Sequence, residues 1–166
     1  MLVAALAGDA GAGPRLEIID HSERRLLLTR HVAAGDRLLL EHTHSVTKRP
    51  VEEVFSVGGR GGLAMEELRF DTFGANLPAG PERIGDVTTT FVRGDGHYRV
   101  LHHGRPIGTV RLRVGGPEVG HTVTLPGGER VRLLDIVPRG TFVEIGLRGV
   151  PGSRSAYGLL PHKAGG

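Results

Sequence analysis

The stretch Leu38-Leu39-Leu40-Glu41-His42-Thr43-His44-Ser45-Val46, followed by Thr47-Lys48-Arg49-Pro50 and Val51-Glu52-Glu53-Val54-Phe55-Ser56-Val57, decides how this chain folds. Side chains of a β-strand alternate between two faces with period two. Leu38, Leu40, His42, His44 and Val46 therefore share one face of the first segment, and Val51, Glu53, Phe55 and Val57 share one face of the second. Two histidines and a glutamate sit on otherwise apolar faces. With residues 47–50 as the loop of a hairpin, Val46 stands opposite Val51, His44 opposite Glu53 and His42 opposite Phe55. A one-residue slip would turn one strand's apolar set outward, so burial favours this register. It predicts His44 and Glu53 partly buried and within hydrogen-bonding reach, with the carboxylate orienting the ring or stabilising its protonated form.

Two readings of that pair stand side by side. In one, His44 and Glu53 are a base, a ligand-binding pair or the start of a metal site, and they are the candidate catalytic residues. In the other they are a satisfied polar pair that fixes the hairpin register, because buried polar groups are normally paired. His42 and His44 would supply two metal ligands if a third came from His102, His103, Glu66 or Glu67. Without HExxH, a cysteine pair or an acidic calcium loop, no metal and no cofactor is expected. Ser45 points to the face opposite His44 and no G-x-S-x-G elbow exists, which argues against a serine hydrolase.

The pattern continues on both sides of the hairpin. Short alternating runs recur between turn signals at 16–20, 24–32, 37–46, 51–57, 63–71, 88–92, 98–102, 107–114, 121–125, 131–137 and 142–148. Some of these should merge, giving an all-β fold: an antiparallel β-sandwich or open barrel of about eight or nine strands with little helix. Gly94-Asp95-Gly96 and Pro126-Gly127-Gly128-Glu129 read as hairpin tips, and residues 58–62, Gly-Gly-Arg-Gly-Gly, as another. Residues 64–70 place Ala64, Leu68 and Phe70 on the more apolar side, which brings Glu66 inward and leaves Glu67 and Arg69 outside.

The chain has 166 residues, the size of one domain at roughly 150 residues each. Residues 16–150 read as that domain, 1–15 as a flexible N-terminal segment and 151–166 as a tail. Residues 1–7 are apolar and Ala10-Gly11-Ala12 follows, as at a signal-peptidase site, but a basic leader is missing. This segment reads either as an incomplete signal peptide or as an Ala/Gly tail. No apolar run reaches the roughly 18 residues of a membrane-spanning helix. Cysteine is absent, which removes disulfides, thiolate metal sites and a cysteine nucleophile, and leaves nine histidines as the main chemical resource.

A formal charge of +3 implies no obligatory polyanion. Arg111, Arg113, Arg130 and Arg132 alternate with apolar residues, as on the outer face of a half-buried sheet, and few aromatics are available for base stacking, so no nucleic-acid partner is expected. Gly59, Gly61 and Ala64 fit G-x-G-x-x-A, but the following segment is too short for the helix of a dinucleotide fold.

The elements His44-Ser45-Val46, Pro50-Val51-Glu52-Glu53 with Phe55, Phe70, and Phe73-Gly74-Ala75-Asn76-Leu77-Pro78 resemble a small bacterial domain family of unknown function, encoded beside TRAP transporters of the TAXI type. The resemblance spans residues 38–78, and more loosely 16–114. Asn76 stands where glycine would be common. The resemblance implies an exported, extracytoplasmic, noncatalytic accessory protein whose partners are a TRAP permease or a TAXI solute-binding protein, with membrane contact only through that partner. It acts by protein contact or by binding a small organic anion. On this reading His42, His44, Glu53 and Glu66 shape the site, Ser45, Lys48 and Asn76 touch partner or ligand, and Gly74 and Ala75 permit close approach. A His/Glu-dependent hydrolase or metal-dependent enzyme is the alternative.

Overall fold

The computed structural model describes residues 13–58 and 62–149. The N-terminal segment up to residue 12, the centre of the 58–62 turn and the tail from residue 150 lie outside the described residues. Thirteen strands are present among the described residues: β1 (Arg15–Asp20), β2 (Arg25–His31), β3 (Arg37–Thr43), β4 (Pro50–Val57), β5 (Leu63–Phe70), β6 (Arg83–Ile84), β7 (Val87–Thr88), β8 (Thr90–Gly94), β9 (His97–Gly108), β10 (Val110–Arg113), β11 (Thr122–Thr124), β12 (Arg130–Arg132) and β13 (Phe142–Arg148). One 3-10 turn, Leu133–Asp135, follows β12. The count exceeds eight or nine because several strands are only two to four residues long.

All pairings are antiparallel. A small sheet runs β10-β13-β1-β2 and a large one β12-β11-β3-β4-β5-β9-β8, with β6-β7 as a separate ribbon. The two large elements pack face to face as an all-β sandwich. Leu16, Ile18, Val143 and Ile145 of the small sheet meet Leu38, Leu40, Phe55 and Met65 of the large one in one buried cluster. Four strands do not roof seven. Where the small sheet gives out, a second cluster of Val51, Phe70 and Val100 is covered instead by Leu77, Phe91 and Tyr98.

The 38–57 hairpin forms, with a different register. Glu53 faces Leu40 rather than His44, and His42 faces Val51 rather than Phe55. Val46 does not oppose Val51 and is 71% exposed. The displacement is an even number of residues, so the inward and outward sets are unchanged. Its cause is the turn. β3 ends at Thr43, and residues 44–49 close on themselves through His44 N–H to the Arg49 carbonyl (2.8 Å) and Lys48 N–H to the His44 carbonyl (2.9 Å). Lys48 adopts a left-handed φ of 57° to make that closure.

β5 also departs from simple alternation. Its pairing to β4 shifts between Val54 and Phe55, leaving Glu66 as the extra residue of a bulge. Leu63 and Met65 therefore join the main core, while Leu68 and Phe70 serve the second cluster. Glu66 does not face inward: it accepts a 2.6 Å hydrogen bond from Ser56, on the opposite face from Phe55. Glu67, expected outside, is 5% exposed, because Arg69 and Arg99 close over it as ion-pair partners.

Candidate functional site

His44 is a clasp between two loops. Its Nδ1 accepts hydrogen bonds from the N–H groups of Val46 (3.3 Å) and Thr47 (3.2 Å). An acceptor Nδ1 places the ring proton on Nε2, which lies 2.9 Å from the Ala75 carbonyl and donates to it. The ring thus caps the hairpin turn and ties it to the segment Phe73-Gly74-Ala75-Asn76. Gly74 packs directly on this ring. Both nitrogens of His44 are engaged by backbone, so it is not paired with Glu53. Among the described residues no three His, Asp or Glu side chains cluster as metal ligands.

His42 faces inward as expected but meets another histidine. Its ring lies 5.4 Å from that of His121, centroid to centroid, and its Nδ1 is buried without a partner. Burial, with the neighbouring His121 and His44, pushes His42 down to about 4. His121 is lowered by burial too, and its Nδ1 accepts from the Gly115 N–H at 3.1 Å. Ser45 and Lys48 are exposed on the hairpin tip beside Val46.

Glu53 opens onto a cleft of about 420 Å³, set where the small sheet's edge strand β10 stops covering the large sheet. Its floor is apolar: Phe55, Met65, Leu68, Val100, Ile107 and Val110. Its polar lining is Glu53, Asn76, Glu82, His102, Arg105 and Thr109. A pocket of that size, mostly apolar with a few convergent polar groups, has the ordinary construction of a small-molecule site. Burial raises the Glu53 carboxyl above its usual range, and no hydrogen bond or ion pair offsets it among the described residues. His102 is 7% exposed with its Nδ1 unpartnered. Burial lowers it, the nearby Arg105 charge adds to that, and Glu82 opposes it. Among the described residues Arg105 makes no ion pair, and its Nε is buried without a partner.

Sequence alternation carries His102 inward with Tyr98 and Val100 but misses Arg105, because β9 stops alternating after His102. His103 and Gly104 have left-handed φ values of 55° and 68°, and the pairing of β9 with β5 shifts there. This bulge brings Arg105 to the cleft side, beside His102. The signal was present: a glycine inside a strand pattern marks a bulge. Asn76 also has a left-handed φ, 65°, which asparagine tolerates better than most residues and glycine tolerates fully. Gly74 and Ala75 hold Asn76 at the rim through the His44 clasp.

A second cleft, of about 440 Å³, is lined by Pro50, Glu52, Phe70, Tyr98 and the arginines Arg69 and Arg99. Its charges are already matched: Arg69 to Glu52 and Glu67, Arg99 to Glu67, and the bordering Asp71 to Arg49. Unmatched groups distinguish the first cleft. Two of the outward arginines are likewise engaged, Arg111 with Glu144 at 2.7 Å and Arg130 with Glu41 at 2.9 Å.

The fold and the cleft define an antiparallel all-β domain with a mixed-charge hollow at the rim of its core. Residues 38–133 match the family model described as a domain of unknown function, DUF1850, and the chain belongs to that family. No curated protein and no solved structure matches. The family span contains every residue that lines the cleft, whereas β1, β2 and β13 fall outside it. A family of unknown function assigns no catalysis.

Proposed function

We propose that this protein is a noncatalytic, extracytoplasmic accessory of a TAXI-type TRAP solute transporter, and that it binds a small carboxylate-bearing organic molecule in the Glu53–Arg105 cleft. The observation that carries the binding half is the Arg105 guanidinium, half-buried at the edge of an apolar floor with no counter-ion among the described residues. A cation in that setting gains most from an anionic ligand group, since partial desolvation strengthens the charge-assisted hydrogen bond. The transporter half is supported by the resemblance of the 44–78 motifs. A partner surface is available at the hairpin tip, where exposed Val46 stands beside Lys48 on a turn stiffened by His44.

Two measurements test this. Affinity purification from native membranes should recover a permease or solute-binding protein, and a Val46→Asp, Lys48→Glu variant should lose it; undiminished recovery removes the tip from the interface. Calorimetric titration with short-chain carboxylates should show binding that Arg105→Gln weakens at least about tenfold, the scale of a lost charged hydrogen bond. A hydrolase built on His44 and Glu53 has less support, because those two side chains do not converge on one cavity.

A further inference from the structure

A bare carboxylate would satisfy Arg105 and leave the rest of the cleft unmatched. Glu53 and Glu82 also line it, neither carboxyl with a hydrogen bond or ion pair among the described residues. Two acidic groups against one guanidinium make the lining hostile to a purely anionic guest. His102, nine-tenths buried, stands in the wall of the same cleft with its Nδ1 closed to solvent and unpartnered. Glu82 is exposed at the mouth, whereas Glu53 and Arg105 are half-buried, and polar groups left without partners in that setting are costly, which marks a place where a ligand completes the bonding.

A guest that carries an ammonium beside its carboxylate cancels both charges at once. The apolar floor then requires hydrocarbon on the same molecule. We infer that the cleft takes an α-amino acid with an apolar side chain: its carboxylate on Arg105, its ammonium facing the Glu53 and Glu82 carboxyls, its hydrocarbon on Phe55, Leu68 and Val100. This rests on the carboxylate-binding reading above and narrows it. The Asn76 amide stands at the rim.

The test is calorimetric titration of the full chain with leucine, methionine and phenylalanine, and with each molecule stripped of its amino group or of its carboxyl group. At least one intact amino acid should bind, with both stripped analogues weaker by about tenfold or more. Glu53→Gln should weaken that amino acid while leaving its des-amino analogue unchanged or tighter, so that the gap between them closes, and Arg105→Gln should weaken both. A des-amino acid that binds as tightly as its parent overturns the amino-acid inference and leaves the carboxylate reading standing. A decarboxylated amine that binds as tightly, or no binding by any carboxylate to a protein shown folded by circular dichroism, overturns both.

Discussion

Gly74 and His44 fit each other so closely that a Cβ on Gly74 would lie 3.0 Å from the ring's Cε1 and 2.9 Å from the Thr47 methyl. The glycine's φ is ordinary, so the demand is for space rather than for a special backbone. The ring cannot step aside without giving up hydrogen bonds to three backbone groups. Gly74→Ala should cost about 1–3 kcal/mol, as overpacking does. His44→Ala should cost a similar amount by freeing two amides and a carbonyl. In urea denaturation the double variant should cost less than the sum of the singles by about 0.5 kcal/mol or more, because removing the ring makes room for the methyl. Simple additivity would show that the two do not share one contact.

Acid should loosen the sandwich before its carboxylates titrate. His42 is held at about 4 when folded, against an ordinary value of 6.5, so the unfolded chain binds a proton that the folded chain refuses. Stability therefore falls as pH drops from about 6.5 toward 4, and His121 and His102 act in the same direction. Since His42 keeps some solvent contact, its share is discounted from the full-burial figure to about 1–2 kcal/mol. Denaturation midpoints at pH 7 and pH 5 check this. His42→Gln should shrink the difference, and an unchanged difference would remove His42 from the effect.

Glu67 works in the opposite sense. Burial alone would raise its carboxyl, but the hydrogen bonds and charges of Arg99 and Arg69 outweigh it and hold the group at about 2. Its contribution is present above the ordinary value near 4.5 and is lost as pH falls toward 2. Glu67→Ala should destabilise by about 1–3 kcal/mol, below the cost of a fully buried pair because both arginines are partly exposed. Glu67→Gln should keep the packing and lose less. Thermal unfolding of the two variants distinguishes charge from shape.

Glu53 should be a stability cost. Its carboxyl, raised by burial and unpaired, disfavours the charged form, so stability falls as pH rises from about 4.5 through its folded value. Glu53→Gln should therefore raise the melting temperature at pH 7. A residue that weakens the fold while lining a cleft is the usual trade of stability for function. A lowered melting temperature would instead show that the carboxylate has a structural partner.

Much of the fold was legible because aliphatic alternation and Gly/Pro turns bound most strands to within a few residues. Facing assignments in the hairpin survived a wrong register, since only an odd slip reverses them. The register itself was not legible: it depends on a histidine side chain replacing backbone partners within the turn. Of the candidate site, Glu53 and Asn76 were readable as one inward carboxylate and one unusual loop residue, and they do line one cleft. His102 was named only as a possible metal ligand, Arg105 was hidden by the His103-Gly104 bulge, and Glu66 and Glu67 exchanged burial through the bulge in β5. Local irregularities, one or two residues wide, erase what periodicity can say about the strand beyond them.

The bond from His44 to Ala75 joins two loops that lie far apart in the chain. On one side stands the tip that carries Val46 and Lys48; on the other, one residue past Ala75, stands the rim of the cleft. A single imidazole is the axle between them. Asn76 follows Ala75, whose carbonyl the ring holds, and the same ring holds the amides of Val46 and Thr47. The rim of the cleft and the hairpin tip are therefore fixed by one side chain, and losing it would release both.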